Sequence, residues 1–243
     1  MPEGPSIILV KEETEMFIGK RILSVSGNSK IDQQRLINKK IIDIKTWGKH
    51  YLICFKDFSL KIHFLMFGSY RVNERKGSPE RLSLVFKKGE LNFYTCSITY
   101  LEGNIHGHYD WSADVMNNDW DPKKARTKLK EQNEQLICDS LLDQHIFSGV
   151  GNIIKNEVLY RVRIHPESVV NAIPPSKIKK LIDESRSYSF EFLTWKRNNE
   201  LKKHWLAHTK KICSRCNKSI IKKYTGLKKR RSFFCEKCQV IYR

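Results

Sequence analysis

Cys213-x2-Cys216-x18-Cys235-x2-Cys238 is the pattern that most restricts how this 243-residue chain can fold. Each Cys-x2-Cys pair brings two thiolates to one tight turn, and two such pairs complete a tetrahedral zinc site. A redox pair is the other reading of the same spacing. With four sulfur ligands no position is left open for a catalytic water, so one structural Zn2+ is expected on Cys213, Cys216, Cys235 and Cys238. Such an ion holds together a hairpin too small to bury a core of its own. The residues between the pairs include Lys222, Lys223, Lys228, Lys229, Arg230 and Arg231. A rigid basic hairpin suits a phosphate backbone, and a solvated charged face is the plainer alternative.

The rest of the chain carries the same sign. Lys and Arg total 45 against 26 Asp and Glu, a net charge of +19. An excess of that size points to a polyanion, with nucleic acid ahead of a membrane surface. The basic residues are scattered, and no apolar run approaches the length of a spanning helix. Met1-Pro2-Glu3-Gly4-Pro5 has neither a basic n-region nor a long apolar run. Neither a signal nor a transit peptide is expected, and the site of action should be intracellular, in the cytoplasm or at the nucleoid. In a reducing compartment the remaining cysteines, Cys54, Cys96 and Cys138, read as buried small hydrophobes. With 40% hydrophobic residues the chain can build real cores.

Ser6 can cap a first helix and Gly19 can end it. Residues 21–101 then read as strands. Leu60, Ile62 and Phe64 alternate with polar neighbours, as do Leu82, Leu84 and Phe86, and Lys87 to Glu90 reads as a hairpin turn. Many short strands imply a sandwich or a barrel. Near residue 113 the pattern becomes helical. Asp121-Pro122 is an N-cap and first-turn pair, followed at helical spacing by Leu129, Leu136, Ile137, Leu141 and Leu142. Gly149-Val150-Gly151-Asn152 breaks the chain before a second helix with Val158 and Leu159. Pro174-Pro175-Ser176 opens another, with Ile178, Leu181 and Ile182 on one face.

Two segments carry possible chemistry. A helix starting after Gly149-x-Gly151 turns backbone N–H groups toward an anion, and Asn152 can add a side-chain donor; an ordinary helical hairpin is the alternative. At the other end, removal of Met1 would leave Pro2 with a secondary amine. An α-amino group titrates near 7.7–8.0, so part of it is neutral and nucleophilic at physiological pH. Glu3 stands beside it as a possible proton donor and acceptor.

Taken together, these residues resemble the formamidopyrimidine-DNA glycosylase and endonuclease VIII family. The resemblance runs in order along nearly the whole chain: Met1 to Pro5, Trp47-Gly48-Lys49, His63 to Gly68, Ser112 to Met116, Leu141 to Pro166, and Arg230 to Cys235. It implies an α+β multidomain protein. A helix and an N-terminal β-sandwich would occupy residues 1–112. A helical domain with a helix–two-turn–helix would span 113–205, and a four-cysteine zinc-finger hairpin 206–243. It also implies roles. Pro2 attacks C1′ of the damaged nucleoside and forms a Schiff base, with Glu3 as the acid and base at the sugar. Lys49 holds phosphate near the lesion and assists catalysis. Gly149, Gly151 and Asn152 grip phosphate from the two-turn motif. Arg230 grips it from the hairpin and takes part in the final elimination. Leu65, Met66 and Phe67 fill the gap left by an everted base. Without the resemblance, Lys49 reads as a surface lysine at a turn, and Met66 and Phe67 as core.

The implied function is a bifunctional glycosylase and AP lyase of base excision repair. It would act as a monomer on damaged double-stranded DNA and cut the strand by β,δ-elimination. The family usually has glutamate where this chain has Ser6, and Gly-Pro where it has Ser112-Ala113. The 8-oxoguanine-preferring branch carries a glycine-rich capping loop before the zinc hairpin, whereas Trp195 to Cys213 contains no glycine. That absence favours the endonuclease VIII branch and oxidised pyrimidines. Met66 in the wedge favours the formamidopyrimidine branch and 8-oxoguanine. A rival of another class is a non-catalytic zinc-containing nucleic-acid binding protein, which explains the charge and the cysteines but has no need of Pro2, Glu3 and Lys49 together.

Overall fold

A computed structural model describes residues Pro2–Arg243. The chain divides into two compact units, one running to Asp110 and the other from Trp111 to Arg243.

In the first unit, helix α1 (Gly4–Thr14) starts two residues before the Ser6 cap expected from the sequence. Pro5 is the reason, because its fixed φ pre-organises the first turn. The N-cap is Glu3, in extended conformation, and its carbonyl accepts from the N–H of Ser6 at 2.8 Å. The α-helix ends at Thr14, whose hydroxyl bonds back to Val10 O at 2.6 Å. A 3-10 turn, Glu15–Phe17, follows, and Gly19 adopts φ +80° after it. Eight strands then form two antiparallel sheets. One has the order β1 (Ile22–Ser26), β6 (Leu82–Phe86), β7 (Glu90–Tyr94), β5 (Ser69–Val72). The other has the order β2 (Asp43–Trp47), β3 (His50–Cys54), β4 (Phe58–His63), β8 (Ser97–Glu102). Both contribute to one apolar core: Leu82, Leu84, Leu91 and Phe93 from the first, Ile44, Tyr51, Ile53, Leu60 and Ile62 from the second, with Ile7 and Val10 of α1. The alternation legible at 60–64 and 82–86 is the inward face of β4 and β6. Cys54, Cys96 and Cys138 are buried, as expected of small hydrophobes.

The second unit holds the helices and the four-cysteine hairpin together. Asp121 caps α2 (Pro122–Glu131), its carboxylate accepting from the N–H of Lys123 at 2.8 Å and Lys124 at 3.1 Å. The helical spacing through Leu142 resolves into α2 and a single turn, α3 (Ile137–Ser140), with a break between them. Then come α4 (Asn152–Val162) and α5 (Pro175–Arg197). Strands β9 (Ile221–Thr225) and β10 (Arg230–Phe234) form the hairpin. No helix among the described residues is long and apolar enough to cross a membrane.

The hairpin is fastened at its tip. Gly226 turns the chain at φ +71°, and a side chain there would strike the Asp139 carboxylate, 2.3 Å from the position of a Cβ. That carboxylate accepts from the N–H of Leu227 at 2.8 Å and of Lys228 at 3.2 Å. Asp139→Ala should therefore cost the second unit about 1–3 kcal/mol, the loss of charge-assisted bonds to a turn. Urea unfolding of the variant against the parent measures this, and a change within about 0.5 kcal/mol would remove the carboxylate from the anchor.

Candidate active site and nucleic-acid interface

In the first unit a half-buried Pro2 precedes a fully buried Glu3 that caps α1. Helix α1 packs against β2 and β3. Those strands meet in a two-residue turn in which Gly48 has φ +52° and Lys49 is half-buried. Lys49 thus stands on a turn between strands rather than on a mobile loop.

Around that turn is an aromatic cluster that sequence reasoning missed. The Trp47 ring stacks on Tyr109 at 4.8 Å, and its Nε1–H donates to Asp110 O at 3.0 Å. His50 Nδ1 lies 3.1 Å from Tyr109 Oη, and the His50 and His63 rings are 5.6 Å apart, edge to face. Burial, then the charges of His63, Lys61 and Lys49, push the His50 pKa down to about 4. Burial and the nearby Lys49 and Lys61 also lower that of His63. Both imidazoles are therefore neutral at physiological pH, and the lysines are the cations of this surface. The signal for His63 was in the sequence, at the head of the segment His63 to Gly68; nothing marked Tyr109.

That segment leaves the strand as a tight loop. The Leu65 N–H meets His63 Nδ1 at 3.3 Å, Leu65 takes φ +52°, and the Gly68 N–H closes the turn on Phe64 O at 2.7 Å. Any side chain at 68 would collide with Phe64 O, 2.0 Å from the Cβ position. Phe64 is buried while Leu65, Met66 and Phe67 are 48%, 51% and 79% exposed. Three adjacent apolar side chains in solvent on a closed turn are a surface built to contact something.

In the second unit Gly149 adopts φ +95° and Gly151 is the extended N-cap of α4, so Asn152 stands in the first turn of that helix. Its Nδ2 donates to Arg231 O at 2.9 Å. Arg230 begins β10 directly opposite Thr225. Asn152 and the Arg230 strand are thus brought together, bridged by Arg231. The Arg231 guanidinium reaches Tyr224 Oη at 3.0 Å.

The four cysteine sulfurs all lie within 4.8 Å of one another, with Cys213 to Cys238 at 3.8 Å and Cys216 to Cys235 at 3.5 Å. Tetrahedral sulfur ligands at about 2.3 Å from zinc stand about 3.8 Å apart, so the donor set and the spacing fit. Tyr160 Oη lies 3.1 Å from Cys213 Sγ.

Glu157 is the other group whose role sequence reasoning missed. Fully buried, it accepts from the backbone N–H of Leu206, Ala207 and His208 at 2.8, 2.9 and 2.6 Å. It ties the segment between α5 and the cysteines onto α4. Burial raises its pKa against these three bonds.

Comparison with known proteins agrees with this arrangement. A formamidopyrimidine-DNA glycosylase N-terminal domain model matches residues 1–97, and a formamidopyrimidine-DNA glycosylase H2TH domain model matches 112–188. A formamidopyrimidine-DNA glycosylase of Lactobacillus gasseri is 27% identical, with 100% of both chains covered. Endonuclease 8-like 3 of Xenopus laevis is 26% identical over 90% of this chain, which spans only 38% of that protein. The chain likewise covers little more than a third of the mouse and bovine endonuclease 8-like 3 proteins. Among solved structures, a Lactococcus lactis Fpg in complex with DNA containing an oxidised pyrimidine superposes with a TM-score of 0.86 at 25% identity, covering 98% of this chain and 99% of that one. The two domain models in sequence, with a full-length relative and a full-length structural match behind them, establish that the chain belongs to the formamidopyrimidine-DNA glycosylase and endonuclease VIII family.

Proposed function

We propose that this chain is a bifunctional DNA glycosylase and AP lyase that removes oxidised bases, pyrimidines ahead of 8-oxoguanine, from double-stranded DNA. The observation that carries the reading is Pro2 beside a buried carboxylate, Glu3, in a member of this family. With Met1 removed, the Pro2 nitrogen attacks C1′, the N-glycosidic bond breaks with its electron pair leaving on the base, and the proton shed by the new ammonium neutralises that base. Glu3 supplies a proton to the sugar ring oxygen as the ring opens to an iminium. Loss of a C2′ proton then expels the 3′ phosphate, and a second elimination expels the 5′ phosphate. Glu3 is suited to this work by its place, fully buried at the cap of α1 directly after Pro2. Lys49, with two neutral histidines beside it, is the cation for a phosphate at the first unit. Asn152 and Arg230 serve the second. Leu65, Met66 and Phe67 fill the vacated stack, offsetting part of the few kcal/mol that eversion costs.

Cys213, Cys216, Cys235 and Cys238 would hold one zinc ion, which supplies no reaction step but keeps the hairpin folded. Substrate preference follows from the segment between Trp195 and Cys213. It has no glycine, and its last part is bonded to Glu157 through three consecutive N–H groups. The Trp195 and His204 rings stack at 4.3 Å across its first part. A segment so fastened is poorly suited to fold over a purine edge, and rejecting guanine requires fitted contacts there.

Borohydride trapping tests the mechanism. With an abasic duplex, intact-mass and peptide analysis should find one reduced adduct, on the peptide that begins at Pro2. An adduct on an internal lysine would overturn the nucleophile, and no adduct at all would favour a non-catalytic binding protein. Elemental analysis should give one zinc per chain, and Cys235→Ser should lose both the metal and the affinity for duplex DNA; full binding by a metal-free protein contradicts the structural role. Single-turnover excision of thymine glycol or 5-hydroxycytosine should outpace that of 8-oxoguanine opposite cytosine on matched duplexes, and the reverse order would assign the chain to the purine-preferring branch.

A further inference from the structure

Helix α4 turns Asn152, Lys155 and Asn156, at i, i+3 and i+4, toward one strand. All three reach the carbonyl of Arg231: Asn152 Nδ2 at 2.9 Å, Asn156 Nδ2 at 3.3 Å and Lys155 Nζ at 3.4 Å. Asn156 also accepts from the Phe233 N–H at 3.1 Å. Lys155 is the unusual member. Its side chain is fully buried, and its ammonium donates to Ser232 Oγ at 2.8 Å. A lysine keeps its charge in such a place only where oxygens replace its water, so the site must hold those oxygens in position.

The bond continues across the hairpin. Ser232 Oγ, which accepts from Lys155, also shares a hydrogen bond with Thr225 Oγ1, 2.6 Å away, in which either hydroxyl can donate. Thr225 is the residue paired with Arg230 in the sheet. The relay Lys155, Ser232, Thr225 therefore fixes both strands at the register of Arg230. Lys155 has no exposed surface with which to meet a phosphate itself.

We propose that Lys155 is a positioning residue for Arg230, setting where the Arg230 guanidinium meets the DNA backbone; this rests on the reading of the chain as a DNA glycosylase. The relay also accounts for a fully buried Ser232 and a buried Thr225 in an otherwise lysine-rich hairpin.

A double-mutant cycle on the zinc-loaded full chain tests it. The probe is a duplex carrying a tetrahydrofuran abasic analogue, with affinity measured over a range of salt. Arg230→Ala should lower the salt slope by about one unit. Lys155→Met should weaken binding about tenfold and lower the slope by about the same amount, with one zinc per chain retained. In the Arg230→Ala background, Lys155→Met should add less than about twofold and leave the slope unchanged. Ser232→Ala and Thr225→Val, which keep the ammonium, should reproduce the effect in part and also be silent without Arg230. Parental affinity in Lys155→Met overturns the proposal. So does a full effect in the Arg230→Ala background, which would make Lys155 an independent contact. If Lys155→Met loses zinc, the Ser232→Ala and Thr225→Val cycles decide in its place by the same criteria. Borohydride trapping on the parent reports separately on the catalytic reading, so a trapped adduct with an additive cycle defeats this inference alone.

Discussion

The second unit depends on one helix that is buried along almost its whole length. From Ile154 to Tyr160 every residue of α4 is buried, including Lys155, Asn156 and Glu157. A helix buried all round cannot send its polar side chains to water, so each must find a fixed partner. Those partners are the rest of the unit. Asn152, Lys155 and Asn156 hold β10, Glu157 holds residues 206–208, and Tyr160 meets Cys213. The Arg215 guanidinium then covers the Tyr160 ring at 4.0 Å and donates to Tyr160 O at 2.8 Å. Past the helix, residues 163–169 pair with the end of the chain, with His165 N–H to Val240 O at 2.8 Å and Val169 N–H to Tyr242 O at 2.9 Å. A hairpin of two five-residue strands has too little apolar area to stand alone. It is held at its tip by Asp139, along β10 by α4, and beyond its cysteines by this pairing. The four cysteines cluster at its base, and polar bonds from α4 fix its direction.

The first unit follows a different plan. Its sheets share an apolar core that asks nothing of the candidate site residues, which stand at element ends: Glu3 at the cap of α1, Lys49 on the turn between β2 and β3, and Leu65 to Phe67 just past β4. Strand geometry sends alternate residues inward, so a turn is where a lysine can stand rigidly without being buried. The left-handed Leu65 and the crowded Gly68 close the loop at 65–68 so tightly that its three apolar side chains have no core to return to.

Much of this could be read in the chain, because spacing carries it. The two Cys-x2-Cys pairs, the Asp121-Pro122 cap, the Gly-x-Gly break and the period-2 runs at 60–64 and 82–86 each reflect a local rule. What was not legible depends on contacts across the fold. Ser6 looked like a cap, but Pro5 had already fixed the turn ahead of it. Leu141 and Leu142 kept helical spacing, yet the helix stops at Ser140, where Asp139 is committed to the hairpin tip. No local spacing marks Lys155 and Glu157 as interior, and only the strand and linker laid over them make them so. Met66 and Phe67 erred the other way, since apolar type alone reads as core, and it is the closed turn that turns them outward.

The Glu157 anchor bears on how such a protein would choose its base. Three consecutive N–H groups bound to one buried carboxylate take residues 206–208 out of any conformational adjustment. His208 reinforces this. Its ring stacks edge-on against Phe233 at 5.1 Å, its Nδ1 lies 3.3 Å from Asn156 Nδ2, and burial with the nearby Lys155 drives its pKa down to about 4. It stays neutral at physiological pH, so no change of charge loosens the segment there. A chain fixed this way cannot supply the adaptable backbone donors that tell one purine edge from another. On the proposed function, discrimination would then come earlier, from how readily a base leaves the stack, a step that costs a few kcal/mol and least for a damaged base. On the proposed reading, the exposed Leu65, Met66 and Phe67 would act on that same step, because a wedge lowers the cost of eversion without reading the everted base.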